Sequence, residues 1–226
     1  MRVQHLGHSC VVVEVADRRL LIDPGGWSRG FEELTGLDAV IVTHQHADHL
    51  DQTRFPGVVA ANPQAALYAD PQSAEILGRS GLAARSLVAG SDITLGEVTI
   101  SPRGEKHAFN HDWMPTVDNV GVRISARGEP TFFHPGDALD ADTGPVDLLA
   151  VPVNAPWCAV RDTIAFVRRV APGGIVPIHD GLVNPTGRAL YLTHVVNHGV
   201  AGDRAGGADE KVTLHDLAGQ GAVTLP

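Results

Sequence analysis

The chain has 226 residues, with 17 lysines and arginines against 26 aspartates and glutamates, and a formal net charge of −9. This length suits one α/β domain with a sizeable core, over residues 1–226, and the absence of a basic block argues against a nucleic-acid partner. Because no signal peptide is visible and no apolar stretch approaches the roughly 18 residues of a spanning helix, we expect a soluble, cytoplasmic protein with no membrane partner.

The first part of the chain alternates short apolar runs with turn residues. Residues 2–6, 10–15 and 19–23 are β-branched or apolar, and "GHS" and "ADR" separate them, which predicts an antiparallel meander. The nearly continuous apolar run "LDAVIVT" is typical of a strand covered on both faces. Next, "VVAAN" at 58–62 predicts a strand, and "PQAALYAD" and "PQSAEILGRSG", over 63–81, predict two helices that each begin near a proline.

The second part repeats the change from strands to helices. Four further strands are predicted by "ITLGEVTISP", "NVGVRISA", "PTFFHPGD" and "VDLLAVPV". Helical "RDTIAFVRRVAP" leads into a strand in "GGIVPIHDG", and "TGRALYLTHVVNHG" predicts the last long helix. Residues 201–210 read as an exposed loop, and the tail at 211–225 returns to a strand pattern. Two successive runs of strands followed by helices predict two sheets packed back to back, with helices outside.

A dense group of metal-ligand residue types follows the apolar strand "LDAVIVT". His44, His46, Asp48 and His49 stand within six positions. His44 and His46 have even spacing on an extended segment, so both imidazoles can reach one cation. Asp48 and His49 follow as the chain turns, which favours a second cation beside the first over one metal held by all four. Histidine and carboxylate without thiolate is typical of a catalytic metal site.

These four residues meet the signature His-x-His-x-Asp-His, and in this the sequence resembles the metallo-β-lactamase-fold hydrolases over nearly its whole length. The resemblance implies an α/β fold, a four-layer αββα sandwich of two mixed β-sheets flanked by helices. It also implies three further metal ligands, which are His107 in "PRGEKHAF", Asp137 in "FFHPGDAL" and His179 in "IVPIHDG". The opening "HLGHSC…LLIDPG" is similar to the family's first hairpin, which implies that Asp23 holds a ligand loop or a ligand imidazole in place.

The implied ligand set suggests a mechanism. One cation would be held by His44, His46 and His107 and the other by Asp48, His49 and His179, with Asp137 bridging them. Coordination lowers the pKa of water from about 15.7 towards roughly 7, which would provide a hydroxide nucleophile. We therefore predict two divalent cations, zinc with manganese or iron as alternatives, and hydrolysis of an ester, lactone, amide or phosphodiester bond. Asp48 and Asp137 are the predicted catalytic carboxylates, with Asp48 accepting or relaying a proton.

Loops that follow strands are expected to form the substrate pocket. The loop at 107–119 could arch over the metals, and "VNAPWC" follows the predicted strand "LLAVPV" at a similar strand end. The candidate pocket residues are His111, Trp113, Asn154 and Trp157. Two other histidines, His8 and His134, either line the site or pack beneath it and support its ligands.

The residues just after the signature help to choose a branch of the family. Leu50, Asp51 and Gln52 stand where glyoxalase II and the true β-lactamases usually have a Gly pair. The short length, "GHS" and the "PIH" ending are most similar to the small ascorbate-phosphate lactonase-like subgroup. We expect a small-molecule substrate, and it can be anionic because two divalent cations outweigh the charges of Asp48 and Asp137. Two alternatives on the same scaffold are a mononuclear iron oxidoreductase resembling thiol dioxygenases and a non-catalytic metal-binding protein. A small homo-oligomer is compatible with the sequence.

Overall fold

A computed structural model of the chain describes residues 1–201 and 210–226, and its strands form two sheets. The first sheet has seven strands, in the order β13-β1-β2-β3-β4-β5-β6. These strands are β1 (Arg2–His5), β2 (Val11–Val15), β3 (Arg18–Ile22), β4 (Ala39–Val42), β5 (Ala66–Ala69), β6 (Arg85–Ser86) and β13 (Val223–Thr224). The first three strands are antiparallel neighbours, whereas β3 to β6 run parallel, so the sheet is mixed.

The second sheet has six strands, in the order β12-β11-β10-β9-β8-β7. They are β7 (Ile93–Leu95), β8 (Val98–Arg103), β9 (Gly121–Ala126), β10 (Phe132–His134), β11 (Leu148–Pro152) and β12 (Gly174–Ile178). The pairs from β7 to β10 are antiparallel, and β10, β11 and β12 are parallel to one another. This sheet is therefore mixed as well.

Helices cover the outer face of each sheet. They are α1 (Phe55–Ala61), α2 (Pro71–Arg79), α3 (Val160–Val170) and α4 (Pro185–His198), with a short 3₁₀ helix at Phe31–Glu33. Alternate residues of β2 point into different cores: Val11 and Val13 pack between the sheets, and Val12 packs beneath α1 and α2. A third core, which includes Phe166 of α3 and Val195 of α4, lies on the outer face of the second sheet. The predicted four-layer αββα architecture is confirmed.

Two sequence-based element predictions are wrong, and both lie between β4 and α2. Residues 58–62, predicted as a strand, are mostly helical in α1, where Pro56 suits the first turn and Val58 is buried against the outer core. Residues 63–70, predicted as a helix, contain the buried strand β5, which pairs with β4. The carboxylate of Asp70 then accepts hydrogen bonds from two backbone N–H groups and starts α2.

The tail also differs from its prediction, because only β13 and an isolated bridge at Leu214 take a strand pattern there. Most of the loop predicted at 201–210 lies outside the described residues. Within the described part of the chain, no helix is both long enough and apolar enough to cross a membrane.

The sheet directions bring several strand ends to one edge of the sandwich. In the first sheet β3 and β4 run parallel, so the residues after Ile22 and Val42 are neighbours. In the second sheet β8, β10, β11 and β12 run the same way, since β9 is antiparallel to both β8 and β10. The loops that follow these strands therefore collect at one end of the molecule, and they carry the predicted metal ligands.

Candidate metal centre

The structure places all seven predicted ligands in two adjoining groups. One group contains His44, His46, His107 and Asp137, and the other contains Asp48, His49 and His179 together with His8. Within each group, one nitrogen or carboxylate oxygen from every residue lies within 4.8 Å of the others. Each group is therefore compact enough for its side chains to reach a single cation.

The first group is built from loops of both sheets. His44 and His46 follow β4, and their Nε2 and Nδ1 atoms are 3.1 Å apart. His107 follows β8, and its Nε2 is 3.4 Å from Oδ2 of Asp137, which follows β10. The same oxygen of Asp137 is 3.9 Å from Nε2 of His44. Three imidazoles and one carboxylate thus face a common point.

The second group adjoins the first through Asp137. Oδ2 of Asp48 is 3.5 Å from Nε2 of His179 and 3.9 Å from Nε2 of His49. Asp137 reaches both of these imidazoles, with 3.2 Å from Oδ2 to His179 and 3.0 Å from Oδ1 to His49. Its carboxylate lies between the two groups and within reach of donors from each.

The hydrogen bonds at Nδ1 orient four of the imidazoles towards the cluster. Nδ1 of His44 is 3.2 Å from the hydroxyl of Thr43, and that hydroxyl itself donates to Asp23. Nδ1 of His49 lies 2.7 Å from Asp23. The Nδ1 atoms of His107 and His179 donate to the backbone oxygens of Ala108 and Asn154, at 2.7 and 2.6 Å. Because Nδ1 of each ring is held by this hydrogen bond, Nε2 is the nitrogen that faces the cluster and can bind a cation once any proton on it is released.

Three buried polar atoms of the cluster have unmet bonding capacity. Nε2 of His107, Nε2 of His179 and Oδ1 of Asp137 make no hydrogen bond of good geometry among the described residues. Such orphaned atoms are costly in a protein interior, and here all three point into the same small volume. A cation would satisfy them, so the donor set fits a metal.

The charges of the cluster also suit a cation. Burial opposes ionisation of Asp137, but neighbouring His49 and His179 outweigh it and hold the pKa of this carboxyl well below its usual range. Burial likewise opposes ionisation of Asp48, and hydrogen bonds from His179 and His8 lower its pKa nonetheless. Burial lowers the pKa of His44, which keeps that ring neutral. Both carboxylates are therefore charged at neutral pH and available as ligands.

Asp23 lies at the centre of the support beneath the site. It is fully buried, its Oδ1 accepts from the backbone N–H of Thr43, and its Oδ2 accepts from the Thr43 hydroxyl and from His49. Since Thr43 in turn contacts His44, one carboxylate orients imidazoles of both groups. The sequence prediction missed Thr43, although its place directly before His44 at the end of β4 is a usable signal.

His134 and His8 contact the site in different ways. Nε2 of His134 donates to the backbone oxygen of Ser9, and its Nδ1 accepts from the backbone N–H of Gly136, so it holds the turn that carries Asp137. His8 is buried, its Nε2 is 2.9 Å from Oδ2 of Asp48, and its ring centroid is 4.1 Å from that of His179. Burial lowers the pKa of both histidines.

Backbone conformation is unusual at this end of the sandwich. Within the described residues, positive φ occurs at six non-glycine positions, and three of these are His8, Asp23 and His179. Left-handed backbone is costly for such residues and is typical of functional sites. Gly25 meets another constraint, because a Cβ there would lie 1.7 Å from the backbone oxygen of Asp48.

The four predicted pocket residues divide into two pairs. Trp157 donates from Nε1 to Oδ2 of Asp137 at 2.9 Å, and its ring contacts those of His107 and His179. Asn154 contributes its backbone oxygen, which accepts from His179. In contrast, His111 and Trp113 contact one another, and neither has a hydrogen bond or ring contact to the metal groups among residues 1–201 and 210–226. Trp113 is 92% exposed.

The chain is similar to known proteins over most of its length. Residues 2–179 match the family described as the beta-lactamase superfamily domain. Protein Rv0786c of Mycobacterium tuberculosis is 42% identical over 84% of this chain and 89% of its own length. A UPF0173 metal-dependent hydrolase of Aeropyrum pernix is 34% identical over 60% of this chain and 61% of its own. The metallo-beta-lactamase fold protein YhfI of Bacillus subtilis superposes with a TM-score of 0.64, at 17% identity over 95% of each chain.

Proposed function

Since the chain belongs to the beta-lactamase superfamily and is a metal-dependent hydrolase, we propose that it uses two divalent cations to cleave an ester, lactone, amide or phosphodiester bond in a small substrate. The observation that supports this most is the position of Asp137. Its carboxylate lies 3.4 Å from His107 of one donor group and 3.2 Å from His179 of the other. A carboxylate placed between two ligand groups can serve a pair of neighbouring cations, and such pairs are typical of hydrolytic centres.

The proposal assigns a cation to each group. His44, His46 and His107 would hold one, Asp48, His49 and His179 would hold the other, and Asp137 would contact both. Zinc suits this set of imidazoles and carboxylates, and manganese or iron are the alternatives. When bound, such cations lower the pKa of water and polarise the oxygen of the bond to be cleaved.

The two carboxylates would have different tasks in the reaction. The side chain of Asp137 is 3% exposed and is surrounded by imidazoles and Trp157, so it serves as a fixed charge between the groups. The side chain of Asp48 is 16% exposed and therefore faces the open side of the cluster. We assign Asp48 as the group that accepts a proton during hydrolysis and passes it to the leaving atom.

Substrate contacts are expected from the loops around the cluster. Trp157 lies beside both His107 and His179 and can form one wall. Phe109 and Met114, in the loop after β8, are 69% and 54% exposed, so this loop offers apolar surface near the site. Together with the sequence likeness to the small lactonase-like hydrolases, these features favour a small organic substrate with a hydrolysable ester, lactone or phosphoester.

The first test is metal-dependent activity. The chain would be purified with zinc or manganese and assayed on generic phosphodiester, lactone and thioester substrates, beside His46→Ala. His194→Ala is a matched control, because His194 is exposed on α4. We expect hydrolysis that depends on metal, is lost in His46→Ala and is retained in the control.

Elemental analysis of the same samples tests the number of metals. Two divalent ions per chain support the dinuclear proposal. One redox-active iron per chain would contradict it and favour an oxidoreductase on this scaffold. A chain that binds metal but hydrolyses none of these substrates would favour a metal-binding protein without catalysis.

A further inference from the structure

His8 contacts the metal cluster, but its Nδ1 accepts a hydrogen bond where Nδ1 of the neighbouring imidazoles donates one. It lies in the turn between β1 and β2, and its Nδ1 accepts a hydrogen bond from the backbone N–H of Gly181 at 3.1 Å. A ring nitrogen that accepts a hydrogen bond carries no proton, so the proton of His8 must be on Nε2. That nitrogen is 2.9 Å from Oδ2 of Asp48, to which it donates.

The position of the ring proton distinguishes His8 from the proposed ligand imidazoles. His107 and His179 donate from Nδ1, so Nε2 of each can release any proton it carries and bind a cation. In contrast, His8 accepts at Nδ1, so its only proton is on Nε2 and is bonded to a carboxylate. A protonated ring nitrogen has no lone pair to offer a metal. We propose that His8 does not bind metal but is a positioning residue, which holds the Asp48 carboxylate for the second cation. This inference rests on the dinuclear site proposed above.

The surroundings of His8 are built for this orientation. Its backbone oxygen accepts from the backbone N–H of His179, at 2.8 Å, so His8 joins a ligand at each end. Gly181 allows the close approach, because a Cβ there would lie 3.0 Å from Nδ1 of His8. Trp27 packs edge-on against the ring with centroids 4.7 Å apart. The ring therefore cannot turn over without losing its bond to Gly181 and disturbing this packing.

The ring orientation can be tested directly on the wild-type chain. Long-range ¹H–¹⁵N correlation spectra of histidine-labelled protein report which ring nitrogen carries the proton. We expect His8 to be protonated on Nε2 both before and after zinc is added, while Nε2 of His107 and His179 shifts on zinc binding. A zinc-induced shift of either His8 nitrogen into the range of a metal-bound imidazole would overturn the inference.

Metal titration of variants provides the second test. In His8→Gln the side-chain amide can still donate to Asp48, whereas His8→Ala removes the donor. We expect His8→Ala to keep two cobalt or zinc ions per chain but to bind the weaker one about 10 to 100 times less tightly, the usual effect of losing a partner of a metal ligand. His8→Gln should recover most of this loss. His5→Gln is the matched control, because His5 is buried and contacts the His8 backbone oxygen without reaching Asp48.

The outcomes separate the roles of His8. If His8 were a ligand, His8→Gln would lose the second ion as His8→Ala does, and the cobalt absorption bands would change in both. If His8 were only structural, both variants and His5→Gln would unfold more easily and bind metal as the wild type does. Either result refutes the positioning role. A wild-type chain that binds only one ion would instead refute the dinuclear proposal, and with it the basis of this inference.

Discussion

Replacement of Asp23 by asparagine is the sharpest test of the support beneath the site. Asp23 is fully buried, and its two oxygens accept from the backbone N–H and hydroxyl of Thr43 and from Nδ1 of His49. An amide has one oxygen and one NH₂ group, so it cannot accept from all three donors. The Thr43 hydroxyl can rotate away, but His49 can accept from the NH₂ group only when Nδ1 carries no proton, and the remaining ring proton is then on Nε2.

The expected effects follow from this single change. One buried donor or acceptor is left unsatisfied, which costs about 1 to 3 kcal/mol of unfolding free energy in the metal-free chain. With its proton on Nε2, His49 has no lone pair for the second cation. We therefore expect Asp23→Asn to bind that cation about 10 to 100 times less tightly.

The assay combines urea unfolding of the metal-free chain with a zinc titration against a coloured chelator. Asp38→Asn is a suitable control, because Asp38 also accepts a backbone N–H and a side-chain donor but lies before β4, at the opposite end from the ligands. It should lose stability and keep its zinc affinity. Zinc affinity equal to that of the wild type in a folded Asp23→Asn would refute the reasoning.

Three further predictions concern the cluster and the carboxylate that begins α2. Trp157→Phe keeps a ring but removes the N–H bonded to Asp137, and urea unfolding of the metal-free chain should show a loss of about 1 to 2 kcal/mol; an unchanged free energy would count against that bond. Burial lowers the pKa of His179, but Asp137 raises it more, to about 9. Zinc binding at pH 7 should therefore release protons, and zinc affinity should rise towards pH 9. Calorimetry in buffers of different ionisation enthalpy measures the released protons, and a zinc affinity that does not change with pH would contradict the prediction. Burial raises the pKa of Asp70 from 3.8 to about 6. Between these pH values the folded chain binds more protons than the unfolded chain, so the free energy of unfolding falls as pH rises through this window. Asp70→Asn should therefore be up to about 3 kcal/mol more stable than the wild type at pH 7.5 and equally stable near pH 3. If the two proteins differ in unfolding free energy by the same amount at both pH values, the raised pKa of Asp70 is disproved.

The strands that carry the ligands could be predicted because their signals are local. Residues 39–42 are apolar without interruption, and His44 follows directly after Thr43, so both the strand and its functional end are visible in a short window. The stretch at 58–70 could not be assigned in this way. The apolar residues of α1 and β5 come in runs of only a few positions, which suit a helix or a strand equally. Pairing of β5 with β4 decides its structure, and that contact lies more than twenty residues away.

The parts of the site that escaped prediction are contacts between distant segments. His8 meets Asp48 across 40 positions and Gly181 across 173. Motif spacing indicates which residue types are able to bind a metal, but it contains no information on the partner of the second ring nitrogen. For this reason His8 could only be placed near the site from the sequence, without a choice between lining it and supporting it.

The partner of the second nitrogen is nevertheless what distinguishes a ligand from a supporting residue in this cluster. His107 and His179 each donate a hydrogen bond from Nδ1 to a backbone oxygen, and that carbonyl leaves Nε2 as the nitrogen that can bind the cation. His8 meets a backbone N–H at the same ring position, and that donor forces a proton onto Nε2. A backbone N–H in place of a backbone carbonyl at Nδ1 thus decides whether Nε2 of an imidazole beside the cluster can bind a metal. On the assignment that we propose, proximity alone, which groups His8 with the ligands, overstates the ligand set by one residue.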